Sequence, residues 1–178
     1  MGLVNLHRPA LPILALFSRS PDALAWGRAR AEQHFGPIAL TSDVFDHNET
    51  TFYEKSMGAE LKKTFLAFAE LRDPAELIDW KLATNTWEEE YAALGLHPEP
   101  RPLNLDPGYL TEAKLVLAST KDRDHRLYLG RGIFAEVTLH FQRGQWITRP
   151  WTYPDYQRAD YHAFFTRCRE YLRARPRD

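Results

Sequence analysis

Residues 11–18, LPILALFS, form an unbroken apolar run, the pattern of a strand buried on both faces. The next stretch, SPDALAWGRARAEQHFG, carries helix signals in order. Ser20 can cap, Pro21 suits the first helical position, Asp22 favours the first turn and Gly36 ends it. PIALTSDVFDH alternates loosely and predicts a second strand ending near Asp46, followed by an irregular stretch over NETTFYEKSMG. LKKTFLAFAELR (61–72) predicts a third strand, and Asp73-Pro74 opens a long helix running to about Leu94. HPEPRP (97–102) reads as a linker inside the fold, and PLNL as a fourth strand. The order β-α-β-β-α predicts an α+β fold in one domain over residues 1–178. Its core is expected to be ferredoxin-like, extended by C-terminal hairpins and a final helix.

The second half has shorter periods. NLDPGYL places Pro107 and Gly108 at the central positions of a type II turn, with Asp106 before them. TEAKLVLAST predicts a short helix capped by Thr111, with a strand over KLVLA as the alternative. HRLYLGRGIFAEVTLHFQRGQWITR predicts two linked hairpins turning at GRG (130–132) and RG (143–144). A three-residue GRG loop pairs Leu129 with Ile133 and Leu127 with Ala135, and sets Arg126 opposite Glu136. Strand alternation then buries Leu127, Leu129, Ile133, Ala135, Val137, Leu139 and Phe141 together. Arg126, Tyr128, Phe134, Glu136, Thr138 and His140 share the polar face. Tyr161, Phe164, Phe165, Cys168, Tyr171 and Leu172 recur at helical spacing near the end.

Charge adds an asymmetry. The 178 residues carry a net charge of −1. Residues 1–100 hold 9 Lys/Arg against 15 Asp/Glu, while residues 101–178 hold 14 against 9, and 12 of those 14 cations are arginine. Arginine's planar fork suits phosphate, so the distribution can mark a phosphate or RNA face, with two merely solvated faces of opposite charge as the first alternative. The single cysteine, Cys168, excludes an internal disulfide and fits a reducing compartment, so a cytoplasmic location is expected. The early apolar run is too short to span a bilayer, and no membrane association is expected.

The candidate chemistry gathers around residues 104–138. Asp106 precedes Lys114, Lys121, His125 and Arg126 by 20 residues or fewer, and the hairpin adds Glu136. On the long helix Lys81, Thr84 or Asn85, and Glu88 fall on one stripe. DVFDHNE concentrates Asp43, Asp46, His47 and Glu49, oxygen-rich chemistry suited to a divalent cation such as Mg²⁺. No phosphate-loop, dinucleotide-binding, zinc or nucleophile-elbow motif is present.

FYEKSMG, KLATN with Glu88, the long segment NLDPGYLTEAKLVLASTKDRDHRLYLGRGIFAEVTL and PWTYPDY together resemble a bacterial family known as domain of unknown function 4416. The resemblance implies that these polar residues belong to a shared pattern. It adds Asn104, Tyr109, Thr120, Trp151, Tyr153 and Asp155 as candidates.

The leading expectation is a protein that binds a phosphorylated small molecule or nucleotide. If it is an enzyme, phosphoryl or nucleotidyl transfer is the expected reaction. Lys114, Lys121 and Arg126 would hold phosphates, with Tyr109, Asn104, Lys81 and Asn85 around them. Asp106 or Glu136 would act as base or hold Mg²⁺, and His125 would be the acid–base group. The alternatives are an RNA-binding module using the C-terminal arginines with Tyr128 and Trp151, or a partner-binding protein with no small-molecule site.

Overall fold

The computed structural model describes residues 2–3 and 7–175. Nine strands join in one antiparallel sheet with helices on both faces, an α+β architecture. Strand β1 (Leu11–Ser18) is buried at all eight positions, as its unbroken apolar run demands. It lies between β4 (Lys62–Phe68) and β5 (Asn104–Leu110), antiparallel to both. β2 (Ile38–Thr41) and the two-residue β3 (Phe45–Asp46) both pair with β4. They are two strands where the sequence predicted one. The sheet continues from β5 through β6 (Lys114–Ser119) and β8 (Ile133–Gln142) to β7 (Leu127–Gly130), while β9 (Gln145–Thr148) also pairs with β8.

Helix α1 (Pro21–Phe35) connects β1 to β2, with the Ser20 side chain capping its first turn and Gly36 at φ 86° ending it. The short α2 (Glu54–Met57) breaks the irregular stretch before β4. Asp73 accepts a hydrogen bond from the Ala75 N–H and starts a 3₁₀ turn that leads into α3 (Leu77–Ala93). Both α1 and α3 pack on one face of the sheet, over Leu14, Leu16, Leu105, Val116 and Ile133. The C-terminal α4 (Ala159–Arg173) covers the other face with Tyr161, Phe164, Phe165 and Cys168, over Leu11, Ile13, Phe65 and Leu110.

Four expectations are corrected. Asp-Pro-Gly is not a turn: it lies inside β5, where Asp106 pairs with Ala15, Pro107 with Leu14 and Gly108 with Ile13. The glycine is there for proximity. A Cβ on Gly108 would stand 2.3 Å from the Val116 carbonyl oxygen, so only glycine lets β5 and β6 run this close. TEAK is the hairpin turn between β5 and β6, with Thr111 Oγ1 accepting from the N–H groups of Ala113 and Lys114. The segment after it is strand β6, the alternative to the helix over KLVLA.

The third correction concerns β8. Leu115 faces Leu139 and Val116 faces Val137, which leaves Thr138 as an extra residue in a bulge. The bulge reverses the alternation, so Ile133, Ala135 and Val137 face α3 whereas Leu139 and Phe141 face α4. The five apolar positions therefore do not share a face. The fourth concerns β7. Leu127 does face Ala135, but Gly130 pairs with Ile133. Arg131 and Gly132, both at positive φ, form a two-residue turn, and Leu129 is the extra residue that restores the phase. β7 is the outermost strand, so Leu127 and Leu129 are exposed rather than core.

Candidate functional site

A cleft of about 470 Å³ opens on the α4 side of the sheet, beyond the reach of that helix. Alternation puts Phe17 of β1, Lys63 of β4, Asn104 and Asp106 of β5, Ser119 of β6 and Glu136 of β8 on its floor. These positions continue the face that is apolar under α4. Loops around residues 47–53, 119–123 and 153–156 wall it.

Two features of β5 shape the floor. The β5–β6 ladder holds Gly108–Leu110 against Leu115–Leu117 and goes no further. Pro107 has no N–H to extend a ladder, and the strands part there. Through this opening α3, which packs on the opposite face, reaches the cleft: Lys81 Nζ donates to the Leu105 carbonyl at 3.0 Å and to Asp106 Oδ1 at 3.1 Å. Asn104 Nδ2 donates to the other Asp106 oxygen at 2.7 Å, and Arg101 donates to Asn104 Oδ1. Glu88 closes this network, accepting from Arg101 at 2.8 Å and from the Leu105 N–H at 2.7 Å.

The Asp106 side chain keeps 30% of its surface open. Its burial opposes ionisation, but the charges on Lys81, Lys63 and Arg101 outweigh it and hold the carboxyl below its ordinary value. Burial pushes Glu88 up despite Lys81 and Arg101.

A second network centres on Glu136. Arg126 Nε donates to Glu136 Oε2 at 2.7 Å, and both side chains are almost wholly buried. The remaining guanidinium nitrogens donate to Ser119 Oγ, the Lys121 carbonyl and Tyr153 Oη, each at 2.8 Å. Thr138 Oγ1 donates to Glu136 Oε1 at 3.2 Å, and His125 Nε2 lies 3.2 Å from Oε2. The His125 ring stacks on Trp151 at 5.1 Å. The β8 bulge is held by the same segment: Trp151 Nε1 donates to the Val137 carbonyl and Thr152 Oγ1 to the Thr138 carbonyl.

A third network was not foreseen as a unit. Lys63, buried, donates to Asp155 Oδ2 at 2.6 Å and lies over the Tyr156 ring. His47 Nδ1 stands 3.6 Å from Glu49 Oε2 and 3.7 Å from Asp155 Oδ2. Neither ring nitrogen of His47 has a hydrogen-bond partner among the described residues, and Glu49 Oε2 has none. Burial and then Lys63 hold His47 below its ordinary pKa, against the pull of Asp155 and Glu49. Buried polar atoms left in this state cost on the order of 1–3 kcal/mol each.

The cleft thus brings together Asp106, Glu136, Arg126, Lys121, Lys81, Asn85 and Asn104. Lys114 is elsewhere, paired with His140 at the far end of β6. Tyr109 points to the α1/α3 face, because it lies three residues from Asp106, an odd step along the strand. His125 sits behind Glu136 and does not line the cleft.

The DVFDHNE cluster is divided by alternation: Asp46 turns outward to Lys62 while His47 and Glu49 turn in. Among the described residues no group of three or more His, Cys, Asp or Glu is arranged to hold a metal ion, and the Lys63 ammonium already occupies the cation position beside Asp155. Lys63 was missed because it reads as an ordinary residue at the start of a strand. Its phase with Phe65, two residues on, was the available signal. No helix among the described residues is long and apolar enough to cross a membrane.

No curated protein and no solved structure matches the chain. A family described as Domain of unknown function (DUF4416) matches residues 8–171. That match covers the sheet, all four helices up to Tyr171 and every side chain of the cleft, and the chain belongs to this family.

Proposed function

We propose that the cleft binds a phosphorylated small molecule, with a nucleotide as the leading candidate. One observation carries the reading. Lys121 and Arg123 line the cleft mouth, and among the described residues neither has a carboxylate within ion-pair distance, while Lys63, Lys81 and Arg126 below them are each matched by an acid. Charge free at the mouth and balanced at depth suits a ligand with an anionic end and a neutral polar body. Phe52, exposed and 4.6 Å from Lys121 Nζ, offers a stacking face beside the phosphate position.

If the protein is an enzyme, Asp106 is the carboxylate best suited to act as base, because it is ionised and open to the cleft. A divalent cation would enter with the ligand's phosphates rather than on a protein cage. The strand order β2-β4-β1-β5, with α1 and α3 as crossovers, supports a ferredoxin-like reading of that half. The buried Cys168 suits a cytoplasmic setting. RNA binding draws less from the geometry, because Arg131, Arg158 and Arg173 are engaged by Asp79, Glu49 and Glu112.

The test is thermal unfolding of the intact chain with AMP, ADP, ATP and pyrophosphate at millimolar concentration. A ligand of the folded state raises Tm, and the Lys121→Ala/Arg123→Ala double variant should lose the rise. No shift with any of these compounds overturns the reading.

A further inference from the structure

Asp106 is held from within the protein and open towards the cleft. Lys81 Nζ donates to Oδ1 at 3.1 Å and Asn104 Nδ2 to Oδ2 at 2.7 Å, while 30% of the side chain's surface stays open. A carboxylate has about four lone-pair sites, so each oxygen keeps an acceptor position after these bonds. Two acceptors fixed in one plane match two parallel donors of a ligand, the geometry of a bidentate pair.

The surroundings select the donors. Lys81 already balances the Asp106 charge and Arg101 stands behind Asn104, so an ammonium or guanidinium ligand would meet like charge. A neutral pair of donors fits instead. Four residues on from Lys81 along α3, Asn85 is its neighbour on the helix surface. It is half-buried, lines the cleft, and its carboxamide is engaged by no described residue, so it offers an N–H donor on the same side. Acceptor, acceptor, donor is the complement of one nucleobase edge. Guanine presents its N2 amino group and N1–H as adjacent donors, with O6 as acceptor after them; adenine, cytosine and uracil have no two adjacent donors. Tyr53, half-buried in the 47–53 wall, supplies a ring for the base plane, and burial and then the nearby Asp106 charge raise its phenol pKa.

We propose that Asp106 and Asn85 read the Watson–Crick edge of a guanine base, with the phosphates of the same nucleotide at Lys121 and Arg123. This names the ligand class within the phosphate-binding reading and rests on it. In this role Asp106 accepts hydrogen bonds and takes no proton.

Calorimetric titration of the full chain at neutral pH with GMP, IMP, AMP, guanosine and ribose 5-phosphate tests both parts. IMP keeps O6 and N1–H and lacks only the N2 amino group. The wild type should bind GMP at least about tenfold more tightly than AMP, with IMP between them. Asp106→Asn turns one acceptor into a donor and should reduce the GMP-to-AMP ratio to less than about threefold while ribose 5-phosphate binding is kept. Equal binding of GMP and AMP by the wild type, or an unchanged ratio in a folded Asp106→Asn, overturns the guanine contact, and binding of ribose 5-phosphate then leaves the phosphate reading standing. Binding of guanosine equal to that of GMP, with none of ribose 5-phosphate, overturns the phosphate reading and supports the base contact. Absence of any binding overturns both. If Asp106→Asn does not fold, Asn85→Ala carries the same comparison, since it removes the donor to O6 and should lower the GMP-to-AMP ratio by at least about threefold.

Discussion

The two sides of the cleft floor each carry a cation–carboxylate pair, and the pairs differ in what they leave unused. On the β8 side, Arg126 spends its donors on Glu136, Ser119, the Lys121 carbonyl and Tyr153, and Glu136 is closed off by Thr138 and His125. On the β5 side, Lys81 and Asn104 hold Asp106 by its two oxygens, yet part of the carboxylate still faces the cleft. The more saturated pair has less to offer a ligand. Arg126 acts as a brace that fixes the 119–123 loop and the mouth cations on it, and the β5 pair is the one positioned for contact.

The largest effect should follow from breaking the saturated pair. Glu136→Ala strands the Arg126 charge in the interior and should lower stability by about 3–5 kcal/mol in urea unfolding. A loss under about 1 kcal/mol would remove the distinction between the two sides. Next comes the join between them. Gly108→Ala drives a Cβ towards the Val116 carbonyl and should lower stability by about 1–3 kcal/mol, with loss of hydrogen-exchange protection in β6. Normal protection there would show that the strands can separate freely. Asp106→Asn keeps the shape and loses the charge. A stability change of roughly 1 kcal/mol together with loss of any nucleotide-induced rise in Tm is expected. A loss as large as that of Glu136→Ala would make both pairs structural.

The smallest effect is in pH. His47 has a folded pKa below its ordinary value of 6.5, so the unfolded chain binds the proton more readily. The stability this confers is complete above 6.5 and falls away as pH drops towards the folded value. Asp106 has the same sign in the range below the ordinary carboxylate value of 3.8, and Glu88 the opposite sign as pH rises past 4.5. Tm measured between about pH 7 and pH 5 should fall in the wild type and stay flatter in His47→Gln. Parallel curves would show that His47 titrates normally.

Much of this arrangement can be read from local chemistry. Ser20, Pro21 and Gly36 announce α1, Asp73-Pro74 the start of α3, and the aromatic stripe from Tyr161 announces α4. Counting back from a three-residue GRG turn puts Arg126 near Glu136, but the turn has two residues, and the neighbourhood survives only because the extra residue Leu129 offsets it. What escaped depends on pairs of distant strands. Asp-Pro-Gly has the composition of a turn, and only the presence of β1 on one side and Val116 on the other turns it into strand. The Thr138 bulge has no local signature, so phase-counting along β8 mixed two faces. Lys63, Glu49, His47 and Asp155 come from three separate segments, and spacing along the chain does not connect them.

The position of β1 has a consequence for synthesis. Its eight buried residues need neighbours on both edges, and those neighbours are made at very different times. β4 follows within some fifty residues, but Asn104, the partner of Phe17, is made 87 residues after it. At translation rates of about 5–20 residues per second, one edge of the most apolar strand is left open for on the order of ten seconds. During that interval the nascent chain presents an unpaired row of backbone donors and acceptors beside LPILALFS, a template for wrong partners. Yield during expression should therefore depend on how quickly β5 emerges.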